Sequence, residues 1–129
     1  MMTQSELEDF MVVLVKLGDE ADRLGFSSPG TFGAMGDLIA DIAQIREHNL
    51  KAIATIGRGL LAMVPLEAMG HTEFLQLVRG VLRIANEADD LGLHYHRHFS
   101  DLGDVAREVA QVRNVSIAGV MKELHSDQN

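Results

Sequence analysis

Three histidines alternate in LHYHRHF, residues 93–99, and acidic side chains crowd the segment on both flanks. Imidazole nitrogens ligate Zn²⁺, Ni²⁺ or Cu²⁺, and a carboxylate readily completes such a shell. His94, His96 and His98, with Asp89 or Asp101, therefore form a candidate metal set, with Fe as a further candidate ion. The competing expectation is an exposed loop whose histidines titrate near neutrality beside the negative end of a helix. The paired Glu-x-x-His of di-iron bundles and the HExxH zinc signature are both absent.

The acids themselves pose a second question. Glu20-Ala-Asp-Arg-Leu-Gly25 and Glu87-Ala-Asp-Asp-Leu-Gly92 both fall where a helix is expected to end. A helix C-terminus carries partial negative charge, so acid there needs a cation. Arg46 and Arg113, each on a partly apolar stripe, are internal candidates. They would pair with the glutamates within one helical hairpin or across two, as Glu20–Arg113 and Glu87–Arg46. Asp22 and Asp89 belong to the same repeated acid/base layer, whose role is structural on this reading. A basic partner protein docking on the acidic tips is the external alternative.

His48-Asn-Leu-Lys-Ala52 resembles the H-x-L-K-G core of histidine phosphotransfer domains, over five residues and with Ala52 in place of the glycine. The resemblance implies a four-helix bundle in which His48, on an exposed helical face, accepts a phosphoryl group that Lys51 helps to neutralise. No other group-transfer chemistry stands out. The chain has no Cys, no nucleophile elbow and no Gly-rich phosphate loop following a strand.

Composition narrows the partners. A net charge of −8 repels phosphate backbones and anionic lipid, and 5% aromatic content offers few stacking platforms, so neither nucleic acid nor membrane is expected. Without a leader-like N-terminal segment or a long apolar run, a cytoplasmic location is expected.

The elements that position these residues follow from a repeat. Slid by 67 positions without gaps, Glu20, Ala21, Asp22, Leu24 and Gly25 meet Glu87, Ala88, Asp89, Leu91 and Gly92. In the same register Glu6 meets Glu73, Phe32 meets Phe99, Gly36-Asp37 meets Gly103-Asp104, and Ala43, Gln44 and Arg46 meet Ala110, Gln111 and Arg113. This predicts a tandem duplication within one domain, 1–129: unit one over 5–57, a linker over 58–71, unit two over 72–124. Leu7, Phe10, Leu14, Leu17, Ala21 and Leu24 share one helical face, with Ser5 and Glu8 at capping-box spacing and Gly25 as the stop. Phe74, Leu77, Val78, Val81, Ile84, Ala88 and Leu91 repeat that stripe after Thr72 as cap. After a loop of roughly ten residues, Leu38, Ile42, Ile45, Asn49, Ala52 and Ile56 predict a second helix, and Leu102, Val105, Val109, Val112, Ser116 and Val120 its copy. Asp37 and Asp104 would stand at the starts of these helices. The whole is an all-α four-helix bundle of two hairpins, with a short extra helix at 65–69 begun by Pro65, and with both acidic tips at one pole. Phe32 and Phe99 would plug the core ends or rim a small-molecule pocket between the hairpins. The expected function is a binding or interaction module without a catalytic site, engaging a protein partner or itself. Metal binding and His48 phosphotransfer are the alternatives.

Overall fold

A computed structural model describes residues 1–26, 28–113, 119 and 122. The described residues form five helices and no strand: α1 (Gln4–Leu24), α2 (Pro29–Ile45), α3 (Leu50–Leu61), α4 (His71–Asp90) and α5 (His96–Val112). The sequence offset reappears in the coordinates. Adding 67 to the bounds of α2, 29 and 45, returns those of α5, 96 and 112. Ser116 and Val120, expected on the last stripe, lie outside the described residues.

α1 opens on a capping box. Thr3 Oγ1 accepts from Glu6 N at 3.2 Å and Glu6 Oε1 accepts from Thr3 N at 3.0 Å, two residues ahead of the expected Ser5–Glu8 box. Glu73 likewise accepts from Gly70 N at 3.2 Å, so Gly70 rather than Thr72 leads into α4. Both of these helices end on a left-handed glycine, Gly25 at φ 82° and Gly92 at φ 72°. The residue after each glycine closes the turn, through Phe26 N to Ala21 O and Leu93 N to Ala88 O, both 2.8 Å.

Three expectations yield here. The ten-residue loops are short connections, because Pro29 opens α2 and Thr31, Met35, Leu38 and Ile39 carry its buried face back through GTFGAMG. Asp37 and Asp104 consequently lie inside helices rather than at their starts. The helix expected from Leu38 to Ile56 is two helices. Glu47 adopts φ 58°, His48 N reaches back to Ala43 O at 2.8 Å, and Asn49 Oδ1 caps α3 by accepting from Ala52 N at 3.1 Å. The extra helix at 65–69 does not form. Those residues are irregular, pinned to α1 by Leu66 N donating to Asp19 Oδ2 at 2.9 Å.

The added turn at 46–49 changes the topology. α3 starts beside the start of α1, where Asn49 N donates to Gln4 Oε1 at 3.0 Å, and packs along α1 in the same direction. It thereby delivers the chain to the far end, so α4 runs antiparallel to α1. The two EAD segments lie at opposite ends of the molecule, not at a shared pole. One core joins all five helices with Met2 and Met69. Its fully buried members include the equivalent pairs Leu7 and Phe74, Leu17 and Ile84, Met35 and Leu102, and Ile42 and Val109.

Glycine in the middle of α4 has a packing reason. A methyl group at Gly80 would stand 2.7 Å from Cδ1 of Phe10, which is buried. Gly80→Ala is expected to lower stability by about 1–2 kcal/mol, overpacking outweighing the gain in helix propensity. Gly33→Ala, in open space within α2, is expected to add about 0.5–1 kcal/mol. Glu47→Gly should add about 1 kcal/mol by removing a Cβ from a left-handed position. Urea midpoints at constant slope would read all three, and a Gly80→Ala protein as stable as the parent would refute the packing account.

Candidate functional site

The two glutamates of the repeated acidic segments are buried, Glu20 at 0% and Glu87 at 2% exposure. Each is held by the arginine of the other half. Arg46 Nη2 donates to Glu87 Oε1 at 2.7 Å, and Arg113 Nε donates to Glu20 Oε1 at 2.7 Å, with Arg113 Nη2 on the same oxygen. The second carboxylate oxygen of each accepts a backbone N–H. Met2 N reaches Glu87 Oε2 at 2.5 Å and Met69 N reaches Glu20 Oε2 at 2.9 Å, and Met2 and Met69 are themselves 67 apart. Because α1 and α4 are antiparallel, each acid at the negative end of its own helix stands beside the positive start of its neighbour. A buried carboxylate thus meets a guanidinium, a backbone donor and a favourable helix end together.

The two ends differ in detail. Beside Glu20, Arg23 Nη2 lies 3.6 Å from Oε2 and bridges to Asp19 at 3.2 Å. Position 90, the equivalent of Arg23, is an aspartate. Beside Glu87, His48 Nε2 lies 3.0 Å from Met2 O, and Arg46 Nε is buried without a hydrogen-bond partner. Asp22 and Asp89 are exposed and take no part in either carboxylate's hydrogen bonding. Burial opposes the charge on Glu87, but the hydrogen bonds from Arg46 and Met2 N, with the Arg46 charge, hold its carboxyl below the ordinary 4.5.

The histidine tract straddles a helix start. His94 precedes α5, while His96 and His98 lie in its first turn, about 200° apart around the axis at 3.6 residues per turn. That geometry disperses the alternation expected of a loop. His96 Nε2 is 3.8 Å from Asp89 Oδ1 on the exposed surface. His98 faces a cleft of about 480 Å³ shared with Thr31, Arg97, Asp101, Asp104 and Glu108, and its Nδ1 is buried without a partner. Among the described residues no three His, Asp or Glu side chains are grouped to hold a metal ion.

His48 sits in the break between α2 and α3, half-buried, not on a helical face, and Lys51 is exposed in the first turn of α3. Phe32 packs across α1, where a methyl at Gly18 would lie 3.6 Å from its ring, and both Phe32 and Phe99 lie against the core. Tyr95 is a contact the sequence did not reveal. Its hydroxyl donates to Asp41 Oδ2 at 3.0 Å, tying the start of α5 to α2, and burial together with Asp41 and Asp37 raises its pKa. A lone Tyr and a lone Asp 54 positions apart carry no spacing signal.

Arg113→Met, which leaves Glu20 with Arg23 and Met69 N alone, is expected to cost about 3 kcal/mol, and Arg46→Met a similar amount at the other end. In a double-mutant cycle, Glu20→Gln with Arg113→Met should cost less than the sum of its parts. Additive effects would contradict the pairing. Because folding lowers the Glu87 pKa, its contribution is complete above the unfolded value near 4.5 and fades as pH falls through the folded value. Urea midpoints measured down to acid pH should therefore drop less steeply in Glu87→Gln than in the parent. Comparison with family models, with curated proteins and with solved structures finds no match to this chain.

Proposed function

We propose that the chain is a small helical interaction module without catalytic chemistry, which associates with its own kind through the exposed segment Leu61–Pro65. The observation that carries this reading is a run of five apolar residues, Leu61-Ala-Met-Val-Pro65, all exposed at the end of α3. Leu61 is 58%, Met63 68% and Val64 46% exposed. Isolated surface leucines are ordinary, but a contiguous apolar segment on an acidic protein is the signature of a contact surface. The acid/base layers support the same reading from the other side. Their carboxylates and guanidiniums are engaged with one another, which leaves them to hold the fold rather than to turn over a substrate. No helix among the described residues is long and apolar enough to cross a membrane.

Sedimentation velocity over a concentration series tests the proposal. The parent is expected to associate, and Leu61→Ser with Met63→Ser to stay monomeric with an unchanged circular dichroism spectrum. A parent that sediments as the variant does at every concentration would refute it.

A further inference from the structure

We infer that the cleft between the start of α2 and the face of α5 binds a small neutral phenol, with its ring beside Thr31 and Val105 and its hydroxyl donating to Glu108.

The repeat carries this inference. The cleft, about 480 Å³, is lined by Ser28, Thr31, Asp104, Val105 and Glu108 among others. Their counterparts, 67 positions away, are Tyr95, His98, Asp37, Leu38 and Asp41, at the opposite end of the α2–α5 contact. There a tyrosine ring fills the space. Tyr95 OH donates to Asp41 Oδ2 at 3.0 Å, and its ring centroid lies 6.1 Å from that of His98. The charge of Asp37 also acts on the hydroxyl, and the side chain packs against the core. Ser28 and Tyr95 hold the same place in the chain, each immediately before its helix. At the Ser28 end a hydroxymethyl group stands where the other end has a phenol. Among the described residues no hydrogen bond or ion pair reaches Glu108, whereas its counterpart Asp41 receives the tyrosine hydroxyl. The cleft thus repeats the surroundings of Tyr95 without a tyrosine of its own.

The walls agree with a partly polar ligand. Thr31 is only 7% exposed, and its hydroxyl makes no hydrogen bond among the described residues. His98 Nδ1, on the α5 wall, is buried without a partner. Buried polar groups are ordinarily paired, and sites for small molecules combine such groups with an apolar surface, here Val105. Three carboxylates, Asp101, Asp104 and Glu108, against the guanidinium of Arg97, disfavour an anion. A neutral hydroxyl donating to a carboxylate forms a charge-assisted bond, as Tyr95 does with Asp41.

The probe is p-cresol, which is the tyrosine side chain as a free molecule. Titrated into the isotope-labelled full-length chain, it should shift the amide resonances of Gly30, Thr31, Val105 and Glu108 saturably. Toluene, the same ring without the hydroxyl, should bind about tenfold more weakly or worse, the loss expected for a hydrogen bond to a charged acceptor. Glu108→Leu should weaken p-cresol by a similar factor and leave toluene unchanged. Ser28→Tyr, which supplies the ring from the chain itself, should abolish the p-cresol shifts and raise the urea midpoint. The site is refuted if p-cresol produces no saturable shifts at the cleft, if toluene binds equally well, or if p-cresol binding survives both substitutions. Shifts confined to Leu61–Pro65 would likewise overturn it. The cleft is separate from that segment, so none of these outcomes alters the self-association test.

Discussion

A carboxylate removed from water must find compensating charge, and two such groups govern how this molecule is assembled. Glu20 and Glu87 are buried, and each takes its arginine hydrogen bonds from the other half of the chain. Each waits for the arginine that closes the second helix of the other half. The halves are thereby fixed in register along their length, since sliding α4 on α1 by one turn would move both carboxylates away from their guanidiniums at once. Buried ion pairs of this kind specify one arrangement more than they add to its stability.

The same constraint explains acid at a helix end. In isolation, Glu20 near the close of α1 opposes the local dipole. Placed beside the start of an antiparallel neighbour, it faces Met69 N and the positive end of α4. The unfavourable local placement is favourable in the assembled pair, and the two ends of the molecule repeat the solution.

Much of this was legible in the residues. Stripes such as Leu7, Phe10, Leu14 and Leu17 announced helices, the offset of 67 announced equivalent elements, and Gly25 and Gly92 announced their stops. The crossed partners Glu20–Arg113 and Glu87–Arg46 were one of two pairings open from chemistry alone, and only packing chooses between them. The end of α2 was hidden because Glu47, a poor left-handed residue, stands where glycine would have signalled a stop, and because Asn49 fits an apolar period while serving as a cap. That one overlooked turn reversed the predicted direction of α4 and gathered the acids at a single pole. GTFGAMG misled in the opposite sense: its glycines suggested a loop, whereas Met35 and Thr31 bury a helical face. The histidine tract was misleading because alternation has different meanings in a loop and in a helical turn.

The 93 residues that separate Glu20 from Arg113 also bear on synthesis. A ribosome releases Glu20 long before Arg113 exists, so a nascent chain can offer that carboxylate Arg23 alone and none of the hydrogen bonds from Arg113. Contacts this remote in sequence slow folding and favour a single concerted closure once the last helix emerges. Truncation anywhere before Arg113 thus removes more than a helix: it leaves the opening half with an acid that has nowhere dry to go.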